Sequence, residues 1–334
     1  MLKKILLSFI LIMIIFTTSC SNGKHYDEQE YMLDIEYQDD FKILQLTDLH
    51  LGMKDDLDVH FDVIKKTVSQ ANPSLIVITG DLFTFATRRV VKEFVNFFDS
   101  FNIPWTLTFG NHDEQCFFSI DWLTNYFNEQ SKNGSNLVFI DHQDDDVYGN
   151  ANFVINLNKE EKIFEQLYIL DSNRYNFSSF SGYDCLHQNQ IDWYERMVNY
   201  TTKLNNNEVV PSMLFLHIPL CEFHDIYEQN INNKNNTNNI VSGEKNEEEC
   251  NSLINTGMFE KIKELKSTRV VSCGHDHIND YHVTYQEEGY NDIELIYGIK
   301  STNRIYHDLD MIGGKLFTIH NDHTISYEDI FVKY

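Results

Sequence analysis

The chain has 334 residues, of which 42% are hydrophobic and 23% are charged, and its formal net charge at pH 7 is −25. This length and composition indicate a globular protein with room for one large α/β domain or for two small ones. The strong negative charge argues against nucleic acid as a partner, because a surface that repels phosphate polyanions gains nothing from counterion release.

The first residues predict a targeting segment. Two lysines precede an apolar run over residues 5–16, and small residues and Cys20 follow it. A basic start, a short apolar run and small residues are typical of a signal peptide, and the run is too short for a confident membrane span. The letters "TTSC" resemble a bacterial lipoprotein box, although Thr17 stands where leucine is usual. Plain secretion and an uncleaved anchor are the alternatives.

We therefore expect residues 1–20 to be a signal peptide, of lipoprotein type, and residues 21–40 to be a polar, acidic tether. The mature protein is expected to be extracytoplasmic, either held at a membrane by a lipid on Cys20 or secreted. The other five cysteines are scattered without a CxxC motif and cannot all pair internally, so the sequence predicts no disulfide framework.

From residue 41 onward, strand-like and helix-like segments alternate, which indicates βαβ units and a sheet covered by helices. The strand-like segments are "FKILQLTDLH", "PSLIVITGDLF", "IPWTLTFGNHD", "FEQLYILDS", "SMLFLHIPL" and "RVVSCGHDH". Helical spacing of apolar residues is clearest in "DVHFDVIKKTVSQAN" and "VVKEFVNFFDSF", and the C-terminal part predicts β-hairpins. We expect residues 41–334 to be one catalytic domain, with an Asn-rich surface insert near residues 228–250.

Five strand-like runs each end in aspartate, asparagine or histidine. The residues that follow the runs are Asp48 and His50; Asp81; Asn111, His112 and Asp113; His217; and His275 and His277. Because ligand sites gather at the carboxyl ends of parallel strands, we expect these side chains to converge. Their nitrogen and oxygen donors suit ions such as Mn, Fe or Zn. Taken singly, most of them are ordinary loop residues by default, and only the two histidines of "GHDH" have the spacing of metal ligands.

Taken together and in this order, the motifs resemble the calcineurin-like metallophosphoesterase superfamily. The likeness lies in "DLH" (48–50), "GD" (80–81), "GNHD" (110–113), His217 and "GHDH" (274–277), and it extends over about residues 41–334. The longer phrases "FLHIPL", "GHDHIND" and "YDCLHQNQIDWY" look like the purple-acid-phosphatase-like subgroup of plants and fungi.

The resemblance implies a four-layer α/β/β/α sandwich with two divalent or trivalent metal ions, Mn, Fe or Zn, at the strand ends. It implies the following roles: Asp48, His50 and His277 on one metal, Asn111, His217 and His275 on the second, Asp81 bridging both, His112 as acid or transition-state donor, and Asp113 orienting the ring of His112. One departure is Thr84, which stands where true purple acid phosphatases have the tyrosine that gives their colour. No purple chromophore is therefore expected.

The expected activity is hydrolysis of a small phosphate ester by a metal-bound hydroxide, which makes the protein a phosphatase or a phosphodiesterase. A non-catalytic metal-binding scaffold on the same fold and a lipoprotein that captures metal are the rival interpretations. Arg174 and Arg304 are weaker candidates for phosphate contacts, because single arginines are more often surface residues. Monoester, diester and nucleotide substrates all stay open.

Overall fold

The computed structural model describes residues 27–142, 146–176, 182–232 and 241–333. The predicted signal peptide, including Cys20, lies outside these residues. In chain order the strands are β1 (Met32–Glu36), β2 (Phe41–Leu46), β3 (Leu75–Thr79), β4 (Trp105–Thr108), β5 (Phe153–Lys159), β6 (Lys162–Ile169), β7 (Tyr175–Asn176), β8 (Gly182–Tyr183), β9 (Ser212–Phe215), β10 (Val241–Ser242), β11 (Thr268–Cys273), β12 (His282–Tyr285), β13 (Ile293–Tyr297), β14 (Gly313–Ile319) and β15 (Ile325–Phe331).

The helices begin with a short 3-10 helix at Glu28–Tyr31. The α-helices that follow are α1 (Leu57–Ala71), α2 (Arg88–Asp99), α3 (Ile120–Lys132), α4 (Gln188–Leu204), α5 (Cys221–Asn232) and α6 (Met258–Leu265). In α2 the apolar residues Val91, Phe94, Val95 and Phe98 are all buried, as the helical spacing predicts.

Within the described residues the strands form a five-stranded and an eight-stranded sheet, besides the small β7–β8 ribbon. The smaller sheet has the order β15-β14-β2-β3-β4, and its neighbours β2, β3 and β4 run parallel. The larger sheet has the order β1-β5-β6-β9-β11-β13-β12-β10, with β6, β9, β11 and β13 parallel. The predicted C-terminal hairpins are confirmed, since β12 pairs with β13 and β14 with β15 in antiparallel register.

The two sheets pack face to face, and helices cover their outer faces. Phe215 of β9 and Phe317 of β14 meet between the sheets with ring centroids 6.0 Å apart. Helices α1 and α2 add to the core around the smaller sheet, whereas α4 and α6 pack in a second core on the larger sheet. The arrangement is the predicted four-layer α/β/β/α sandwich.

A buried glutamine ties the two sheets together close to the strand ends that carry the predicted ligands. Gln45 of β2 donates from Nε2 to the Cys273 carbonyl of β11, 2.9 Å away, and accepts at Oε1 from the Ser272 hydroxyl at 2.6 Å. These bonds satisfy a polar side chain that is fully buried between the sheets. They also fix the ends of β2 and β11 relative to each other.

The prediction of a tether over residues 21–40 is wrong for its described part. Residues Met32–Glu36 form an edge strand that pairs in parallel with β5, and the fold therefore begins before residue 41. The reason lies in the alternation of the segment: Tyr31 and Tyr37 are buried while Glu36 is exposed. The polar composition masked a period-2 pattern that fits a half-buried strand.

The predicted Asn-rich insert is likewise ordered at both ends. Helix α5 continues to Asn232, and β10 (Val241–Ser242) pairs antiparallel with β12 at the edge of the larger sheet. Residues 233–240, which hold most of the low-complexity letters, lie outside the described residues. Among the described residues, no helix is long and apolar enough to cross a membrane.

Candidate metal centre

The polar residues that end the five strand-like runs lie at one edge of the sandwich. Three of the runs are the parallel neighbours β2, β3 and β4 of the smaller sheet, and the other two are the parallel neighbours β9 and β11 of the larger sheet. The five ends therefore converge, as the sequence predicts, although they come from two facing sheets instead of one.

One group of side chains comprises Asp48, His50, Asp81 and His277, and all four are buried. The Nε2 atoms of His50 and His277 are 3.0 Å apart, and Nε2 of His277 lies 3.3 Å from Oδ1 of Asp48. Nε2 of His50 lies 3.4 Å from Oδ2 of Asp81. Four donor atoms thus surround one small space that could hold a cation.

A second group lies next to the first and shares Asp81 with it. Nε2 of His217 is 3.4 Å from the same Oδ2 of Asp81 and 3.3 Å from Nδ1 of His275. The amide oxygen of Asn111 lies 3.2 Å from Nε2 of His217. The structure therefore brings together all seven predicted ligands, in the two groups that the resemblance implies.

Two buried donor atoms of this cluster have no hydrogen-bond partner among the described residues. They are Oδ1 of Asp48 and Nε2 of His275. Leaving a buried polar atom unsatisfied costs about 1–3 kcal/mol, which native proteins rarely accept without a functional reason. Oδ1 of Asp48, which faces Nε2 of His277 at 3.3 Å, and the imidazole nitrogens that face each other at 3.0 Å fit a site for a bound cation.

The outer ring nitrogens of three histidines are fixed by hydrogen bonds. Nδ1 of His217 donates to the Thr79 carbonyl at 2.8 Å, and Nδ1 of His277 donates to the Tyr306 carbonyl at 2.9 Å. A proton on Nδ1 leaves Nε2 of the neutral ring with a free lone pair, which is the form that ligates metals. Nδ1 of His50 contacts the hydroxyl of Thr84 at 2.8 Å, so the residue that replaces the purple-phosphatase tyrosine holds a ligand in place.

Charge and burial together keep several ligands in their metal-binding forms. Burial alone would raise the pKa of Asp48, but the neighbouring His277, His217 and Lys300 hold that pKa well below its ordinary value in the metal-free protein. Burial lowers the pKa of His50 well below its usual range and lowers that of His275 to about 3. An ionised carboxylate beside neutral imidazoles is the donor set that a divalent cation needs.

His217 behaves differently from His50, although Nε2 of each ring lies 3.4 Å from Oδ2 of Asp81. At His50 the charge of Lys300 adds to burial in lowering the pKa. Burial opposes the charged ring, but Asp81 outweighs it and raises the pKa of His217 to about 10. Without a cation, a proton on His217 therefore balances the charge of Asp81, and a metal would displace it. Burial lowers the pKa of the nearby Lys300 to about 8, and its Nζ donates to the Asp48 carbonyl at 2.8 Å.

Several ligands sit in an uncommon backbone conformation. Asp48, His50, Asp81 and His275 all have a positive φ, between 49° and 79°. Non-glycine residues seldom adopt this left-handed region, and those that do cluster at functional sites. Gly110 permits a close approach of two loops, since a Cβ at this position would lie 2.3 Å from Oδ1 of Asp81. Only glycine permits the β4 loop to pass so close to the shared carboxylate.

The structure corrects one predicted role. Both carboxylate oxygens of Asp113 accept backbone amides, from Phe83 at 2.9 Å and from Gly110 at 2.8 Å. Nδ1 of His112 lies instead 2.8 Å from the amide oxygen of Gln115. The prediction that Asp113 orients the His112 ring is therefore wrong. The carboxylate of Asp113 accepts from loop amides, and the partner of the His112 ring is Gln115.

His112 itself is half-buried beside the first group, with its ring centroid 5.1 Å from that of His50. Its backbone amide donates to Oδ1 of Asp81 at 2.8 Å. The phenol of Tyr175 accepts from Nδ2 of Asn111 at 2.8 Å and thereby turns the amide oxygen of Asn111 toward His217. Sequence reasoning missed Gln115, Tyr175 and Lys300, and of these only Gln115 carried a local signal, a spacing of three residues from His112.

Comparison with known proteins identifies the class. A family model described as calcineurin-like phosphoesterase matches residues 41–279. This match covers well over half of the chain, and the chain therefore belongs to the calcineurin-like phosphoesterase family. The resemblance found in the sequence is confirmed.

Individual relatives agree with the predicted subgroup. The chain is 28% identical over 279 residues to a protein of Arabidopsis thaliana named "Probable inactive purple acid phosphatase 14", with 72% of this chain and 66% of that protein covered. It is 28% identical over 283 residues to "Phosphatase DCR2" of Saccharomyces cerevisiae, with 77% of this chain and 47% of that protein covered. The chain thus spans about two thirds of the plant relative and about half of the yeast one.

Among solved structures, a dimetal phosphatase from Danio rerio has a similar fold. The superposition has a TM-score of 0.57 at 12% identity and covers 89% of this chain and 98% of that chain. At this identity the likeness shows the fold alone, and the fold is the metallophosphoesterase sandwich.

Proposed function

We propose that the protein is a metal-dependent phosphoric ester hydrolase with two metal ions at the strand ends. The observation that carries the proposal is the position of Asp81, whose Oδ2 lies 3.4 Å from Nε2 of His50 in the first group and 3.4 Å from Nε2 of His217 in the second. A carboxylate placed between two sets of imidazoles is suited to bridge two cations.

In this proposal each metal has its own ligands beside Asp81. Asp48, His50 and His277 would hold the first ion, and Asn111, His217 and His275 would hold the second. The chemistry that such a pair would supply is polarisation of the phosphoryl oxygens of an ester and activation of a water molecule for attack on phosphorus. The donor set, which lacks a thiolate, suits Mn, Fe or Zn.

The chain supplies a proton donor beside the cluster. His112 is half-buried, and Gln115 engages its Nδ1. In the imidazolium form of the ring, Nε2 of His112 also carries a proton, which it can transfer to the departing alcohol oxygen or use to stabilise charge on the phosphoryl group. Asp113 acts at one remove, since its bonds to the amides of Gly110 and Phe83 hold the loop on which His112 stands.

The second candidate function is a non-catalytic metal-binding scaffold on the same fold. The name of the plant relative, which calls that protein probable inactive, supports it. The complete ligand set and the presence of His112 favour the hydrolase. The two functions make different predictions, because a scaffold that captures metal would bind ions without turnover.

The test uses the purified full chain, stripped with EDTA and then supplied with Mn²⁺, Fe²⁺ or Zn²⁺. We expect metal-dependent release of p-nitrophenol from p-nitrophenyl phosphate or from its bis-ester, and the preferred ester separates phosphatase from phosphodiesterase. Asp81→Asn should abolish the release, whereas Asp62→Asn on the exposed face of α1 should not. Metal binding without release from either ester would support the scaffold.

We also propose that the protein is extracytoplasmic and held at a membrane by a lipid on Cys20. The basic start, the apolar run and the "TTSC" box support this. Mass spectrometry of the mature N-terminus tests it: a diacylglyceryl group on Cys20 that disappears in Cys20→Ala is expected. An unmodified mature N-terminus beyond residue 20 would favour secretion.

A further inference from the structure

Three large apolar side chains are exposed beside the candidate metal centre. Met53, Phe85 and Phe117 have 42%, 59% and 63% of their surface accessible. Scattered exposed apolar residues are ordinary and need no explanation. These three, however, stand on the loops after β2, β3 and β4, which are the loops that carry Asp48, Asp81 and His112.

The three loops contact one another at these residues. The amide of Met53 donates to the Phe85 carbonyl at 3.3 Å, and the amide of Phe117 donates to the Ala86 carbonyl at 3.0 Å. These backbone contacts place Met53, Phe85 and Phe117 on adjoining loops, and we call the three exposed side chains the apolar rim. It exposes on the order of 300 Å², taking about 200 Å² for each complete side chain. That size is comparable to the apolar patches that mark binding sites.

The apolar rim borders the side of the cluster on which His112 lies. Phe85 directly follows Thr84, whose hydroxyl is 2.8 Å from Nδ1 of His50. The ring of His112 is 5.1 Å from that of His50, and Phe117 stands on the same loop as His112. The alcohol part of an ester leaves toward its proton donor, and the loop that carries His112 as that donor also carries Phe117.

The backbone of Phe85 supports a functional role for this exposed ring. Its φ is +52°, in the left-handed region that bulky residues seldom occupy. An aromatic side chain held out into solvent from a strained backbone gains nothing from its own packing. Such outliers concentrate at ligand-binding positions.

Charge near the centre does not favour a second phosphate group. Arg174 lies 3.8 Å from Asp171 and 3.9 Å from Glu114, and Nε of Arg304 lies 2.8 Å from Asp55. The two arginines that the sequence offered for phosphate contacts are thus already engaged by carboxylates. An additional charged phosphate on the substrate would find little compensation there.

We propose that the apolar rim binds the alcohol portion of the substrate, and that the protein acts on phosphate esters of apolar alcohols, aromatic or long-chain. This inference rests on the proposed hydrolase function. It names a substrate class by the chemistry of the rim: the metals take the phosphoryl group, and Met53, Phe85 and Phe117 shield the apolar remainder from water.

The test compares three monoesters on the full chain with Mn²⁺ added: octyl phosphate, 1-naphthyl phosphate and glycerol phosphate. Octyl and glycerol phosphate both release an alkanol, so their ratio of kcat/KM reports the contact with the rim. The test variant is Phe85→Asn combined with Phe117→Ser, because asparagine tolerates a positive φ. The matched control is Leu204→Ser, which removes an apolar side chain of similar exposure. Leu204 ends α4 and precedes the start of β9, whereas the metal centre follows the end of that strand.

We expect the wild type to have a higher kcat/KM for the apolar esters than for glycerol phosphate. In the double variant the ratio of these kcat/KM values should fall about tenfold, which is equivalent to about 1.4 kcal/mol. Leu204→Ser should leave the ratio unchanged. Loss for the naphthyl ester alone identifies an aromatic alcohol, and loss for the octyl ester alone identifies an alkyl chain. A wild type that prefers glycerol phosphate, or an unchanged ratio in the double variant, would overturn the proposal.

Failure of the hydrolase function itself would look different, since no ester would then be cleaved by the wild type with any metal. The rim can still be tested in that case by calorimetry with octylphosphonate and methylphosphonate on the metal-loaded chain. Tighter binding of octylphosphonate that is lost in the double variant supports the rim, and equal binding of the two overturns it.

Discussion

Nε2 of His50 lies 3.0 Å from Nε2 of His277, and both rings are buried. The Tyr306 carbonyl accepts from Nδ1 of His277, so the Nε2 of that ring carries a lone pair when the ring is neutral. Burial also disfavours a charged His50, whose pKa is well below its ordinary value. Two rings held in this way present a shared space that a cation fills better than a proton.

Metal binding should therefore stabilise the fold. A ligand that binds only the folded state at a hundred times its Kd adds about 2.7 kcal/mol to the free energy of unfolding. For a chain of this size we expect addition of Mn²⁺ or Zn²⁺ after EDTA treatment to raise Tm by roughly 4 °C for each bound ion. Calorimetry measures the shift. Asp81→Asn should lose most of it, and an identical Tm with and without metal would contradict the assigned centre.

Thr84 should matter for metal affinity more than for the chemical step. Its hydroxyl contacts Nδ1 of His50 at 2.8 Å and is buried. Removing such an outer partner typically weakens metal binding 10–100-fold, and we expect about tenfold for Thr84→Val. Titration against a competing chelator measures this change. Thr84→Ser keeps the hydroxyl and should bind metal as tightly as the wild type does. Equal metal affinities for all three proteins would contradict a role of the Thr84 hydroxyl in holding His50.

The parts of the site that the sequence could predict are those that each follow an apolar run directly. Asp48, Asp81 and His217 are examples, since a strand that ends next to them fixes their position within a few residues. The small sheet and the large sheet face each other, and so motifs more than 200 residues apart meet at one edge. The pattern of strand ends predicts that these motifs converge, but only the resemblance to a known family implies that they converge from two facing sheets.

The sequence could not reveal the hydrogen-bond partner of each polar side chain. Asp113 and Gln115 both lie within three residues of His112, but the loop turns Asp113 toward the amides of Gly110 and Phe83. Lys300 donates to the Asp48 carbonyl although the two residues are 252 positions apart, and no periodicity of apolar residues predicts such a contact. Strand β1 was not predicted for another reason: acidic residues in and around it make its alternating pattern hard to recognise.

The different partners of Asp113 and Gln115 predict opposite effects on stability and turnover. Gln115→Leu removes the partner of Nδ1 of His112, and we expect kcat to fall about tenfold or more with little change in Tm. Asp113→Asn places an amide NH₂ group against a backbone N–H, which should cost about 1–3 kcal/mol of unfolding free energy.

Steady-state kinetics at saturating metal and thermal unfolding separate the two effects. If Asp113→Asn lost turnover at an unchanged Tm while Gln115→Leu behaved as the wild type, the ring of His112 would depend on Asp113 after all. Gln115→Glu is a useful companion, because it keeps an acceptor for Nδ1 and should retain more activity than Gln115→Leu.

A histidine away from the centre should make stability depend on pH. His282 in β12 contacts the hydroxyl of Ser242 through Nδ1 at 2.5 Å. Burial, with a further contribution from the charge of Lys315, lowers the pKa of His282 to about 4. Its folded pKa is therefore below the ordinary value of about 6.5 that it has in the unfolded chain.

Between about pH 6.5 and pH 4 the unfolded chain binds a proton at this position that the folded protein does not. The free energy of unfolding consequently falls as the pH falls through this window, by about 1–2 kcal/mol from His282 after allowance for partial screening by solvent. His282→Asn keeps a polar contact for Ser242 but cannot titrate. Urea unfolding at pH 7 and at pH 4.5 should show a smaller loss of stability for this variant than for the wild type. Equal losses in the two proteins would mean that His282 is not protonated on unfolding, because other groups contribute equally to both.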